Sequence, residues 1–305
     1  MLASLAIVLP VFGLIGIGYA SRWIKLVTDR AGEGLSEFVF TLAVPCLIFR
    51  TLVRAEIPSV QPWGYWISYF VGVAVAWGVA MLLARRFFGL AGIDGVVAGF
   101  SAGQANTVLV GVPMILNAYG EEGAVPLFLL IAVHLPVTMT LATIMAEGRN
   151  ASAMAILRRL ATHPIIVGIL AGSALRPIAA FVPAPLWQVV EMIGTAAIPC
   201  ALISMGIALR RYGMEAGWSL PAILSGLKLG LHPLVVYLLA TQVFSMPAAW
   251  SGVAVLFAAC PSGINAFLFA ERYGVGVAVA SSTIALSTAL ALATTLIWLQ
   301  VLGVS

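Results

Sequence analysis

Long runs of apolar residues, separated by short polar or Pro/Gly-rich breaks, extend along the whole chain. A helix of about 20 apolar residues crosses a bilayer. The runs reach this length and lack the period-two alternation of barrel strands. The pattern therefore predicts an all-α polytopic membrane protein with ten transmembrane helices. Their expected ranges are 2–22, 31–53, 63–84, 93–119, 122–146, 162–178, 185–209, 218–244, 248–271 and 275–302.

The composition supports this class. Of the 305 residues, 62% are hydrophobic and 9% are charged, and the mean hydropathy is +1.10. Soluble globular domains carry about 25% charged residues, so a soluble protein is excluded. The three cysteines are scattered among apolar residues and form no Cys/His cluster of metal-binding spacing. We therefore predict free thiols, no metal site and no cofactor.

Basic residues are distributed unevenly between the two sides of the predicted helices. Eleven follow odd-numbered helices and two follow even-numbered ones. The positive-inside rule then places the odd loops in the cytoplasm and both termini outside it. The net charge of +4 consequently needs no nucleic-acid partner. The residues counted are Arg22, Lys25, Arg30, Arg85, Arg86, Arg149, Arg158, Arg159, Arg210, Arg211 and Arg272, against Arg54 and Arg176.

Similar residues recur 154 positions apart in three regions of the chain, which indicates an internal duplication. We expect one five-helix repeat at 1–150 and a second at 151–305. Because five is odd, the second copy must enter the membrane from the opposite side, as in transporters with inverted repeats. Matching pairs include Pro10 and Pro164, Gly18 and Gly172, Glu37 and Glu191, Pro45 and Pro199, Cys46 and Cys200, and Tyr119 and Tyr273.

Predicted helices four and nine contain polar residues, glycines and prolines at membrane depth, at 99–113 and 260–265. Irregular backbone persists in a membrane only where protein buries it or it lines a wet cavity. Paired interruptions in two repeats mark a transporter's substrate site, although a proline kink sealed by neighbouring helices is the alternative. The expected helix-break residues are Gly111, Pro113, Pro261 and Gly263, and Gly103 is a further candidate for the break in helix four.

The two interruptions suit a small anion. A broken helix presents unpaired N–H groups and a partial positive charge, and asparagine amides can donate to a carboxylate. Residues 95–120 and 248–270 contain no Asp or Glu. We therefore expect a carboxylate such as malonate, malate or an indole acetate. The expected substrate-binding residues are Ser101, Gln104, Asn106, Thr107, Pro261, Ser262 and Asn265.

Two further ionisable residues lie deep in predicted helices. Lys228 is about 15 Å from the start of helix eight and His134 is midway along helix five. Lys228 either adds positive potential and joins moving helices or bonds carbonyls freed at a break. His134 either couples protons or is a neutral histidine bonded to the backbone. The repeat mates Glu37 and Glu191 act as gates or as interfacial carboxylates paired with arginine.

The motifs at 106–113, 199–206, 226–233 and 261–273 resemble the auxin efflux carrier family. The resemblance implies ten helices in two inverted repeats, with broken helices four and nine crossing near the site. It further implies a scaffold of helices 1, 2, 6 and 7, a transport domain of helices 3–5 and 8–10, and elevator-type movement of a small organic anion. A homodimer in a bacterial inner membrane is the implied assembly.

This sequence departs from plant members at two places. Ala105 stands where plant members carry a proline, and a short connection at about 147–161 replaces their long hydrophilic loop. A sodium-coupled symporter of the bile-acid type is an alternative function. A non-transporting receptor is another, whereas the lack of HExxH and GxSxG motifs disfavours an intramembrane enzyme. Substrate identity, flux direction and the coupling ion stay open at this stage.

Overall fold

A computed structural model describes residues 2–54, 63–148 and 161–304, together with Met154 and Arg158. The predicted repeat boundary at 150–151 and most of the connection at 147–161 lie outside these residues. Within them the chain is nearly all helical, with one isolated β-bridge and no named strand. The helices are α1 (Leu2–Trp23), α2 (Asp29–Arg54), α3 (Trp63–Phe88), α4 (Gly92–Gly103), α5 (Thr107–Glu147), α6 (Pro164–Leu175), α7 (Ala184–Leu209), α8 (Ser219–Val243), α9 (Ala248–Ala259), α10 (Ile264–Tyr273) and α11 (Val277–Val301).

Seven of these helices are long and apolar enough to span a membrane within the described part of the chain, namely α1, α2, α3, α5, α7, α8 and α11. The other four are shorter. The short helix α4 is followed by α5, and α9 is followed by α10, with only three or four residues between them. The prediction of a helical multi-pass membrane protein is confirmed, and predicted helices four and nine each consist of two pieces.

Three helices widen to π-helical geometry just before a proline. In each, the residue preceding the proline donates its N–H to the carbonyl five residues back, as Val112 does to Thr107. A proline ring crowds the carbonyl four residues earlier, and the wider turn moves that carbonyl aside. Helix α5 therefore runs through Gly111 and Pro113, and of the three candidate break points of helix four only Gly103 lies at the end of a helix, as the last residue of α4. These three π-helical stretches are Val39–Ala43, Thr107–Gly111 and Leu227–Leu231, and a further one, Leu238–Val243, ends α8.

Helices α1, α2, α6 and α7 pack together through close backbone contacts at glycines. A Cβ at Gly18 of α1 would overlap the carbonyl of Ile203 in α7. A Cβ at Gly172 of α6 would lie 2.9 Å from the carbonyl oxygen of Phe49 in α2. Gly172 comes 154 positions after Gly18, and Ile203 comes 154 positions after Phe49. The same helix contact thus occurs in both halves of the chain.

The remaining helices form a second group around the interrupted segments. Helix α3 packs against α4, where Gly99 leaves room for the Trp77 indole, and α11 is fastened to α8 by Trp298 Nε1, which donates to the Leu229 carbonyl at 2.9 Å. Helix α9 packs against both α5 and α8. The two groups of helices touch mainly where α7 meets the start of α5, and where α1 meets α5 and α11.

Two glycines with positive φ redirect the chain near the interrupted segments. Gly120 divides α5 into two arms at φ 55° and ψ −137°, and Gly274 ends α10 at φ 67°. Side chains with a Cβ rarely adopt such conformations. The two glycines are 154 positions apart, and each follows a tyrosine.

Candidate functional site

The two gaps between short helices lie against each other in the protein interior. Residues 104–106 separate α4 from α5, and residues 260–263 separate α9 from α10. Ala105 and Ser262 form an antiparallel β-bridge. The N–H of Asn106 donates to the Pro261 carbonyl at 2.8 Å, and the N–H of Gly263 donates to the Gln104 carbonyl at 3.0 Å. We call these two paired gaps the crossing.

The expected breaks at Pro261 and Gly263 fall in the second gap. The first gap lies at Gln104–Asn106, directly after the candidate break residue Gly103 and several residues before Gly111 and Pro113. Ala105 is the residue of the first gap that pairs with Ser262 in the bridge. The carbonyl carbon and oxygen of Ala105 lie very close to Gly263. Any residue with a Cβ at position 263 would push the two gaps apart, so only glycine fits there.

The N–H groups that point away from the bridge also have partners. Ser262 donates its N–H to Ser287 Oγ of α11 at 3.0 Å. Ala105 donates its N–H to His134 Nε2 in the second arm of α5 at 3.5 Å, and His134 Nδ1 lies 2.9 Å from Tyr69 Oη. An acceptor role for Nε2 places the ring proton on Nδ1. Buried backbone groups at membrane depth are thus satisfied by side chains.

Several predicted site residues are used to fasten the crossing rather than left free. Ser262 Oγ donates to the Ser101 carbonyl at 2.7 Å, and Ser101 Oγ donates to the Val97 carbonyl within its own helix. The Gln104 side-chain oxygen accepts from Thr138 Oγ1 at 2.7 Å. Ser287 and Thr138 were missed by the sequence analysis because neither lies in an interrupted segment. Only the three-dimensional contact gives them a role.

The two asparagines lie at the beginnings of α5 and α10. Asn106 is 3% exposed, and its Nδ2 lies 3.2 Å from the sulfur of Met205 in α7. Asn265 is half-buried in the first turn of α10, and Thr107 opens the first turn of α5. The first N–H groups of a helix have no intrahelical partner. Helices α5 and α10 therefore both begin at the crossing, each with an asparagine at its start, and neither interrupted segment contains a carboxylate.

Lys228 lies behind the crossing and is fully buried. Its Nζ donates to the Ala258 carbonyl, in the last turn of α9, and lies 3.3 Å from His232 Nδ1. The last carbonyls of a helix lack intrahelical partners, so the lysine bonds a carbonyl freed by the gap. Among the described residues no carboxylate pairs with Lys228.

A cavity of about 690 Å³ opens between the two groups of helices. It lies among the end of α2, the start of α7, the bend of α5 and the start of α9. Arg50 and Glu191 pair across it at 3.3 Å, and Arg54 lies over the Trp187 ring at 5.7 Å. Its charged lining residues are Arg50, Arg54, Glu121, Glu122 and Glu191.

Metal coordination finds no support in the described part of the chain. It contains no group of three or more His, Cys, Asp or Glu side chains that could hold an ion. Cys46 and Cys200 are free and half-buried, and the Cys260 thiol is free and donates to the Leu256 carbonyl at 3.3 Å.

Comparison with known proteins identifies the class of molecule. The family described as "Membrane transport protein" matches residues 3–156 and 150–299. A Rhizobium meliloti protein named "Putative malonate transporter" is 31% identical and covers 94% of this chain and 92% of its own length. Proteins named "Uncharacterized transporter" from Methanothermobacter thermautotrophicus and Methanocaldococcus jannaschii are 24% and 23% identical, covering 99% and 96% of both chains. The chain belongs to the membrane transport protein family of auxin efflux carrier-like proteins, and it is a transporter rather than an enzyme.

Proposed function

We propose that this transporter carries small organic anions, with malonate as the first candidate, and binds their carboxylate groups at the crossing. The observation that carries the proposal is that α5 and α10 both begin at the paired gaps of the crossing, with Asn106 and Asn265 at their starts. Partial positive charge and amide donors stabilise a carboxylate there, and no acidic residue of either interrupted segment opposes it. The name of the Rhizobium meliloti relative supports the choice of malonate.

Elevator-type alternating access is the mechanism that we infer for this site. Helices α1, α2, α6 and α7 would be the static scaffold, and α3–α5 with α8–α11 would move with the crossing. The repeated contact of Gly18 with Ile203 and of Gly172 with Phe49 supports an inverted duplication. The transport group is fastened internally by Lys228 and His134, whereas the crossing meets the scaffold chiefly through Met205.

The distribution of basic residues supports an orientation with both termini outside the cytoplasm of a bacterial inner membrane. The end of α2, the bend of α5 and the starts of α7 and α9 then face outward. The cavity beside Arg50 would therefore be the extracytoplasmic entrance. We also propose a homodimer formed through the scaffold, where α7 exposes Leu186, Val189 and Met192. The mass of the detergent-solubilised protein, corrected for bound detergent, tests that assembly.

Uptake of radiolabelled malonate into proteoliposomes tests the substrate site. Asn106→Ala and Asn265→Ala each remove one amide donor to a charged acceptor, which contributes about 1.5–3 kcal/mol. The KM for malonate should therefore rise by about tenfold or more. Asn117→Ala is the matched control, because Asn117 is exposed on the first arm of α5 and is not among the cavity-lining residues.

Wild-type transport by both asparagine variants would refute the assignment of the site. Replacing sodium by choline in the same assay tests the alternative of a sodium-coupled symporter. The proposal expects uptake to be unchanged, because neither interrupted segment supplies a carboxylate ligand for sodium.

A further inference from the structure

The side chain of Asn106 makes an unusual choice of partner. Asparagine at the start of a helix ordinarily accepts from a backbone N–H of the first turn. Asn106 precedes the first turn of α5 but makes no such bond. Its amide nitrogen instead reaches α7 and donates to the thioether of Met205 at 3.2 Å. The first turn of α5 is thereby left without a side-chain cap.

A thioether is among the weakest acceptors in proteins, and Asn106 and Met205 are both buried. A buried amide donor bonded only to sulfur therefore has an acceptor much weaker than a carbonyl or a carboxylate. A carboxylate would form a charge-assisted bond of about twice the strength of a neutral one. The contact is thus one that an anionic substrate can displace.

Met205 lies on a part of α7 whose backbone is held in place by close packing. The next residue, Gly206, lies so close to α1 that a Cβ there would overlap the Ile15 carbonyl. Ser204, the preceding residue, donates its hydroxyl to the carbonyl of Ala201 in the same helix. The backbone of α7 is therefore fixed at this point, while the methionine side chain keeps three rotatable bonds and can move aside.

We propose that Met205 occupies, in the empty transporter, the position that a substrate carboxylate oxygen takes against Asn106. Met205 is then a specificity-determining residue that lies on α7, outside both interrupted segments. Its sulfur holds the amide in place before binding. After displacement its apolar chain packs on the carbon skeleton of the substrate. This inference rests on the proposed function, because it deepens the description of the same site.

Two substitutions at Met205 should change affinity in opposite directions. Met205→Leu removes the sulfur and keeps an apolar side chain of similar volume, so malonate no longer displaces an acceptor and its Kd should fall by about threefold. Met205→Gln supplies an amide oxygen, a stronger acceptor that competes with the substrate, so the Kd should rise by about fivefold, the equivalent of one net hydrogen bond.

The measurement is equilibrium binding of radiolabelled malonate to the purified full-length protein. Met145→Leu and Met145→Gln are matched controls, because Met145 lies near the end of α5, away from the crossing and the proposed dimer surface, and is 40% exposed. Neither control should change the Kd. If Met205→Leu does not fold, Met205→Ile removes the same sulfur, keeps an apolar side chain of similar volume and carries the same expectation.

The outcomes separate this inference from the function on which it rests. Equal shifts in the same direction for both Met205 variants, or wild-type affinity in both, would overturn the role of Met205. If the Met205 variants give either of these results but Asn106→Ala weakens malonate binding, the proposed substrate site stands. Only the displacement of the Met205 thioether by the substrate is then refuted. Unchanged binding in Asn106→Ala would overturn both.

Discussion

Gly263→Ala is the sharpest perturbation of the crossing. A Cβ at Gly263 would lie 2.7 Å from the Ala105 carbonyl oxygen and 2.9 Å from its carbonyl carbon. This is about 0.7 Å short of ordinary van der Waals contact. The backbone of Gly263, at φ −82° and ψ 148°, is open to alanine, so the effect comes from the contact alone. The methyl group must push the two gaps apart.

The loss of stability in Gly263→Ala comes from two hydrogen bonds that lengthen when the two gaps move apart. The bonds from Asn106 N–H to Pro261 and from Gly263 N–H to Gln104 are 2.8 and 3.0 Å long. Leaving a buried partner unsatisfied costs about 1–3 kcal/mol for each bond. Replacing glycine by alanine at a compatible position stabilises the folded state by about 0.4–1 kcal/mol, because alanine lowers the conformational entropy of the unfolded chain. The net loss of stability should be about 1–5.5 kcal/mol.

Two measurements on Gly263→Ala check this reasoning. The folded fraction in detergent should decrease, and the remaining folded protein should bind malonate at least tenfold more weakly because the helix N-termini no longer converge. Gly230→Ala is the matched control, since a Cβ at Gly230 of α8 meets nothing within 4 Å. The reasoning is refuted if the two variants show the same folded fraction and the same malonate affinity.

Three smaller predictions follow from single contacts. Ser287→Ala leaves the buried Ser262 N–H without its acceptor and should cost about 1–3 kcal/mol of stability. Gly120→Ala forces φ 55° on a residue with a side chain and should cost a similar amount, measured by unfolding in detergent. Glu191→Gln removes one negative charge from the cavity and should lower the KM for malonate about twofold at low salt, an effect that vanishes at high salt.

Each of these changes has its own control in the chain. Ser281→Ala removes a hydroxyl that bonds only within α11, and Gly78→Ala adds a methyl group where nothing lies within 4 Å. Glu37 is the repeat mate of Glu191 but does not line the cavity, so Glu37→Gln is the control for Glu191→Gln. Stability losses as large in Ser281→Ala and Gly78→Ala as in the tested variants would contradict the first two predictions. A change in KM for Glu191→Gln that persists at high salt would contradict the third.

The linear pattern by itself determined the class of protein and the location of its two interrupted segments. Apolar runs of membrane-spanning length allow only helices at this depth, because unpaired backbone is too costly in lipid. Asn106 and Asn265 were found in the same way, since polar side chains within such runs need a reason. The family match then confirmed a transporter.

Tertiary structure decided which of the candidate positions, Gly103, Gly111 or Pro113, interrupts helix four. Gly111 and Pro113 carry the local signal of a break, but a wider turn at Thr107–Gly111 absorbs the proline within a continuous helix. Residues 104–106 carry weaker local signals. They leave the helix because the backbone at 261–263 supplies the hydrogen bonds that the helix would otherwise provide. The partners Met205 and Ser287 became visible for the same reason, because their roles depend on contacts between distant parts of the chain.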